Sequence, residues 1–313
     1  MLADALGGNL LPVAPPEFRS GFVGIVGRPN VGKSTLMNAT LGQKVAIVSP
    51  VAQTTRNRLR GILTTDTAQL IFVDTPGIHK PHHELGRAIV KSAIAAIDSV
   101  DLILFVVDAS QPPGGGDRFI AELLLRAKVP VFLGLNKRDR QADGAATDLD
   151  AAYAELLGVD CPSYKFSALN GDGLSALQAA LIAALPTGPY YYPPDLASDR
   201  PERFIMGELI REQILLHTRQ EVPHSVAIAI DKVEETPEIT RILATIHVER
   251  SSQKGILIGA RGSMLKTIGS AAREQIQKLV AGKVYLELYV RVQAKWRQSR
   301  DRVAEFGYGR EDG

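Results

Sequence analysis

The sequence predicts two units in series: an α/β domain whose mostly parallel sheet is flanked by helices, then a smaller α+β domain. Three observations carry this expectation. The chain has 313 residues, more than one hydrophobic core usually organises. From Gly21 onward, short β-branched apolar runs alternate with longer amphipathic stretches, the pattern of a parallel sheet covered by helices. Residues 185–204 then contain five prolines, and beyond them the one-for-one alternation stops.

In chain order, residues 1–20 begin without a basic cluster and carry Asp4, so they make a poor export signal and are expected to form a disordered tail. The first domain is expected over 21–188, with strands at 22–26, 68–73, 102–107, 131–135 and 163–166. Their continuous apolar runs suit strands buried on both faces. Asp108, Asn136 and Ser167 fall just past strand ends, where open α/β sheets place their ligands. Residues 189–203 read as a stiff proline-rich linker. The second domain, 204–313, reads as a helix at 204–217, strands near 225–234 and 240–249, a glycine loop, a long helix near 264–280, a strand at 284–292 and a closing helix from Trp296. A mainly antiparallel sheet is expected there.

Composition narrows the classes. With 45% hydrophobic and 22% charged residues the chain has the material for packed cores. Residues 1–199 hold 17 Lys+Arg against 19 Asp+Glu, a net of −2, whereas residues 200–313 hold 19 against 15, a net of +4. That asymmetry points to a polyanionic partner for the second half, with an ordinary solvated surface as the bland alternative. The single cysteine, Cys161, excludes an intrachain disulfide and a multi-thiolate metal site. No apolar run reaches the roughly 18 residues of a spanning helix, so a soluble, cytoplasmic protein is expected.

The strongest motif is Gly27-Arg28-Pro29-Asn30-Val31-Gly32-Lys33-Ser34, followed by Thr35, placed after an apolar strand and before a helical pattern. Glycines let backbone N–H groups surround phosphates, Lys33 reaches the β and γ phosphates, and Ser34 offers a hydroxyl to Mg²⁺. Asp74-Thr75-Pro76-Gly77 follows a second strand. There a carboxylate can hold Mg²⁺ through water and the Gly77 N–H can meet a γ phosphate, although the same four residues also make a good turn. Asn136-Lys137-Arg138-Asp139 points to guanine: the Asp139 carboxylate can accept from N1–H and the exocyclic amine, donors that adenine lacks, so GTP is expected over ATP. Asn136 would contact the imidazole edge and the Lys137 stem would cover the base. Ser167-Ala168-Leu169 supplies a loop whose Ala168 N–H can donate to the guanine carbonyl.

Together with Gln53-Thr54-Thr55-Arg56 and the linker strings Tyr192-Pro193-Pro194-Asp195 and Ser198 to Phe204, these motifs resemble the Era family of ribosome-assembly GTPases over the whole chain. The resemblance implies a GTPase domain of the P-loop type followed by a type II KH domain. It also implies that Thr54 or Thr55 completes the Mg²⁺ shell. At the place where Ras-type switches carry a water-orienting Gln stands Ile78, which can neither donate nor accept, so hydrolysis needs another arrangement. Some similar GTPases use K⁺ and an asparagine of the phosphate loop, which makes Asn30 the candidate K⁺ ligand; tolerance of the loop's backbone geometry is its bland reading.

In the second domain, Gly259-Ala260-Arg261-Gly262 precedes the long helix and follows the apolar segment 255–258. A GxxG loop of this kind clamps the backbone of single-stranded RNA, but the motif alone is weak, since Gly24-Ile25-Val26-Gly27 has the same form. The approach Glu249 to Gly259 is similar to that of the family's type II KH loop. RNA contact is expected at Lys254, Gly255, Ile258, Gly259, Ala260, Arg261, Gly262 and Lys266, with Ile256 and Ile258 expected to pack mainly in the core. By resemblance, the partner is the 3′ end of the small-subunit ribosomal RNA, in small-subunit maturation, and the chain is expected to act as a monomer. Two alternatives compete. A membrane-associated signalling GTPase would set its basic C-terminal region against anionic lipid, peripherally on the cytoplasmic face. A P-loop kinase is disfavoured by the guanine motif.

Overall fold

The computed structural model describes residues 11–49, 59–74, 99–141, 146–158, 161–218, 222–299, 301–302 and 306. Two compact units are present, residues 1–45 with 58–199, and residues 46–57 with 200–313.

The first unit is built on a six-stranded sheet: β1 (Arg19–Val26), β2 (Arg60–Thr64), β3 (Ala68–Asp74), β4 (Leu102–Asp108), β5 (Val131–Asn136) and β6 (Ser163–Lys165), in the order β2-β3-β1-β4-β5-β6. All five expected strands form. Every residue of β3 and β4 is buried, which is why their sequences are continuous rather than alternating. β1 pairs in parallel with β3 on one side and β4 on the other, so the chain order reverses beside the end of β1 and opens a ligand-binding crevice there. The described helices are α1 (Lys33–Leu41), α2 (Gly115–Leu124), α3 (Ala146–Leu157) and α4 (Leu174–Ala184). Phe105, Ile120, Leu124, Leu133 and Tyr153 join sheet, α2 and α3 in one core.

β2 was not expected. It runs antiparallel to β3, pairing Arg60 with Val73 and Thr64 with Gln69. Gln69 is the polar residue inside buried β3, whose other polar residue, Asp74, ends the strand, and the Gln69 side chain explains how residues 191–192 are held. Its carbonyl accepts from the N–H groups of Tyr191 (2.8 Å) and Tyr192 (3.0 Å), while its amide donates to Tyr192 O at 2.9 Å. Tyr190 lies 4.3 Å from Phe18 between ring centroids, Thr187 bridges Arg19, and Ser198 bridges Gly61. The proline-rich stretch as far as Asp199 is therefore a strap on the first unit, its backbone donors taken by a buried amide and by strand edges.

The second unit contains α5 (Glu202–His217), β7 (Ala227–Glu235), β8 (Ile239–Val248), α6 (Ser251–Ile258), α7 (Ser263–Ile276) and β9 (Lys283–Val292). β7 pairs antiparallel with β8, but β8 and β9 are parallel through ten residue pairs from Ile239↔Lys283 to Val248↔Val292. The expected mainly antiparallel sheet is thus mixed. The crossover α6–α7 carries the chain back to the start of β8, which forces β9 to run in the same direction. Ile205, Leu209 and Ile214 of α5 pack with Ile242 and Ile246 of β8, Leu257 of α6, and Ile268 and Ile276 of α7. At the other end, the Trp296 indole donates to Ser225 O at 3.0 Å and packs on Phe306. Among the described residues after β9, Trp296–Gln298 forms a 3-10 turn where the closing helix was expected to begin, while Asp301 and Arg302 are helical and Phe306 N–H donates to Arg302 O at 3.0 Å. Ala46 to Ser49 belong with this unit, where Val48 N–H donates to the buried Glu212 carboxylate at 2.7 Å.

Candidate functional site

Between β1 and α1, the backbone of Asn30 (φ 64°) and of Gly32 (φ 103°) takes left-handed conformations. Two of the loop's glycines are obligatory on contact grounds as well. A Cβ on Gly27 would lie 2.3 Å from the Val106 carbonyl, and one on Gly32 2.3 Å from the Asn136 amide nitrogen. Lys33 is buried and its ammonium donates to the carbonyls of Gly27 (2.9 Å) and Arg28 (2.8 Å), so the loop's own backbone holds the cation in place. Burial lowers its pKa to about 8, against the opposing pull of the Asp74 charge. Asp74, at the end of β3, is 1% exposed. A buried carboxylate, the Ser34 hydroxyl in the first turn of α1 and a compact cation beside them are the hard-oxygen chemistry that suits Mg²⁺ with phosphate.

Asn136, at the end of β5, connects three loops. Its amide nitrogen donates to Val31 O at 2.8 Å, and its carbonyl accepts from Ala168 N–H at 2.9 Å. Ser167 Oγ donates to Asp139 Oδ1 at 2.5 Å, which orients the carboxylate. Lys137 is left-handed (φ 67°), and its ammonium meets Asp108 at 2.6 Å. Burial pushes the Asp108 carboxyl up, but the hydrogen bonds from Lys137 and Ser110 outweigh it and hold the group below its ordinary value. The phosphate loop, Asn136 to Asp139 and Ser167 to Ala168 are therefore brought together as expected. Leu169 is 74% exposed. Thr54, Thr55, Thr75, Pro76, Gly77 and Ile78 lie outside the described residues.

In the second unit, the GxxG loop joins α6 to α7. Gly259 (φ 71°), Arg261 (φ 52°) and Gly262 (φ 79°) all have positive φ, and a Cβ on Gly259 would stand 2.7 Å from Met264 Cβ. Gly262 is the N-cap of the 14-residue α7, so that helix's unpaired N–H groups open next to an exposed Arg261 and Lys266. One expectation fails here: Ile256 is 51% exposed, and Leu257 alone (0%) enters the core. The cause is that 251–258 is a helix, capped by the Gln253 carbonyl, which accepts from the N–H groups of Glu249 and Arg250 at 3.0 Å each. In a helix, neighbours in sequence face different sides.

Residues 22–137 match the family described as 50S ribosome-binding GTPase, and residues 221–297 match the KH domain family. The GTPase Era of Nostoc sp. is 70% identical over 299 residues, which cover 95% of this chain and 92% of that protein. The GTPase Era of Crocosphaera subtropica is 66% identical, covering 96% of each.

The chain belongs to the Era family of GTPases.

A crystal structure of Era with MgGDPNP and nucleotides 1506–1542 of 16S ribosomal RNA is 37% identical, with a TM-score of 0.83 over 93% of this chain and 99% of that one. A variant of Aquifex aeolicus Era bound to GDP·AlF₄⁻ is 36% identical, with a TM-score of 0.84 over 93% and 100%. As in other Era proteins, the GTPase unit precedes the KH unit. Sequence reasoning placed Asp108 at a ligand-facing strand end but missed two polar residues that meet the phosphate loop's Arg28, Asp117 and Tyr153, both 0% exposed. The run of three glycines at 114–116 was the available signal, since consecutive glycines mark a close approach of another group.

Proposed function

We propose that this protein hydrolyses GTP as a switch and binds small-subunit ribosomal RNA near its 3′ end, assisting maturation of the small ribosomal subunit. The observation that carries the nucleotide half is Asn136, whose one amide ties the phosphate loop to the guanine-reading loop through Val31 and Ala168. Lys33 and the loop amides grip the phosphates, Asp139 accepts from guanine, and Ser34 and Asp74 would hold Mg²⁺, which when bound neutralises charge on the phosphates. With an isoleucine at position 78, acceleration rests on positioning and charge rather than on a side chain that orients water. Asn30, at an exposed left-handed position of the phosphate loop, is the proposed K⁺ ligand.

The RNA half is supported by the GxxG loop and by the family relationship to an Era captured with a 16S fragment. In this reading Gly259 and Gly262 let an RNA backbone approach the start of α7, Arg261, Lys254 and Lys266 meet its phosphates, and exposed Ile256 offers an apolar contact to a base. The deciding experiment is a gel shift of an RNA spanning the 3′ end of 16S ribosomal RNA with the full chain and with Arg261→Glu, alongside sedimentation with anionic vesicles. Loss of the RNA shift alone is expected. Loss of vesicle binding with an intact RNA shift would favour lipid as the basic region's partner.

A further inference from the structure

Two buried side chains, Asp117 and Tyr153, stand between the phosphate loop and the guanine-reading loop and belong to neither motif. Arg28, the second residue of the phosphate loop, gives its main-chain carbonyl to Lys33 and its guanidinium Nε to Asp117 Oδ1 at 2.7 Å. The other oxygen of Asp117 accepts from Gly114 N–H at 2.9 Å, and the guanidinium also meets the Tyr153 hydroxyl. That hydroxyl donates to the main-chain carbonyl of Asp108 at 3.1 Å, and the Asp108 carboxylate takes the Lys137 ammonium at 2.6 Å. Gly116 shows how closely the arginine is held, because a Cβ there would lie 2.6 Å from Arg28 Cδ.

We propose that Asp117 and Tyr153 are positioning residues for guanine-nucleotide binding, joining the phosphate grip to the base clamp through one chain of contacts, Arg28 to Asp117 and Tyr153, then Asp108, then Lys137. Asp117 and Tyr153 are both fully buried. A carboxylate and a hydroxyl in such places cost stability unless paired, so packing alone would be served as well by apolar side chains of the same size. Their pairing fixes the separation of two loops that lie more than a hundred residues apart in sequence. That separation decides whether one nucleotide can satisfy both loops at once, and small errors in it are expensive. A merely structural role, Asp117 capping the start of α2, would lower stability without linking Arg28 to Lys137.

The inference rests on the guanine-nucleotide reading, and the test separates the two. Calorimetry with GDP and Mg²⁺ is run on the full chain, on Tyr153→Phe, Asp117→Asn and Lys137→Ala, and on the double variant Asp117→Asn with Lys137→Ala, with thermal melting recorded without nucleotide. Tyr153→Phe removes only the hydroxyl, so it should melt close to the parent yet bind GDP about fivefold more weakly, and the double variant should lose affinity by less than the product of its two single losses. If Asp117→Asn fails to fold, Gly116→Ala, which displaces the Arg28 stem, replaces it in the cycle. GDP affinity of Tyr153→Phe within twofold of the parent, or losses that multiply fully, would overturn the assignment. No GDP binding by the parent chain would instead overturn the nucleotide reading itself.

Discussion

Lys33 carries the clearest consequence of a single residue's surroundings. Its pKa of about 8 lies below the 10.5 of an ordinary lysine because the ammonium is buried. Phosphate oxygens around it would restore the higher value, so nucleotide binding should take up a proton near pH 8.5. Affinity should be full below about pH 8 and fall by up to about tenfold per unit above it. Calorimetry in two buffers of different ionisation enthalpy measures this uptake directly, and identical heats in both would contradict it. For stability the sign is opposite. The unfolded chain binds more protons between pH 8 and 10.5, so the nucleotide-free unit should gain stability across that window as pH rises. Asp139 bears on selectivity. Asp139→Asn removes two charge-assisted hydrogen bonds to guanine, each worth about 1.5–3 kcal/mol, so GDP affinity should fall by at least about a hundredfold. Competition against labelled GDP checks it. Both residues were singled out from residue type and spacing, because a phosphate loop and a guanine loop use fixed chemistry at fixed offsets. Asp117 and Tyr153 were not, since their partners are remote in sequence.

Among the elements, the strap and the KH loop are the informative cases. Gln69→Leu would leave the Tyr191 and Tyr192 N–H groups facing an apolar side chain, at a cost of about 2–3 kcal/mol read by denaturant unfolding, with nucleotide affinity nearly unchanged. Gly259→Ala meets both a positive φ and a contact with Met264, so it should destabilise the loop by about 1–2 kcal/mol and weaken the RNA gel shift about tenfold without altering GTP hydrolysis. The four long buried strands, β1, β3, β4 and β5, were readable because a strand covered on both faces must be continuously apolar. β2 was not, because an edge strand needs no such run and its hydrophobic residues, Ile62 and Leu63, are only two. α6 escaped for a similar reason: eight residues with a central glycine carry too little periodicity to separate a helix from an apolar strand.

At the scale of the molecule, the question is whether the nucleotide changes what the second unit does. A ligand shifts an equilibrium only through contacts that differ between states, and GTP differs from GDP by the γ phosphate alone. We predict that the GTP-bound chain binds the 16S 3′-end RNA more tightly than the GDP-bound chain, within the about 5- to 150-fold range usual for coupled sites. Equal dissociation constants would refute the coupling and leave both sites intact. A second prediction concerns the monovalent ion: hydrolysis should be faster in K⁺ than in Na⁺, and Asn30→Ala should abolish the difference. Equal rates in the two salts would remove Asn30 as the K⁺ ligand.

What the sequence by itself determined was the order of the two domains, the mostly parallel sheet of the first, and the motifs that the fold gathers at the ends of β1 and β5. Each of those depends on local pattern, a run of buried side chains or a motif read within a few residues. Only the tertiary structure decided that a proline-rich segment straps the first unit, that β9 runs parallel to β8, that Ile256 faces outward, and that Arg28 of the phosphate loop meets the buried Asp117 and Tyr153. Those outcomes depend on which groups meet across long stretches of chain, and an unpaired donor or carboxylate in a sequence does not say where its partner will come from.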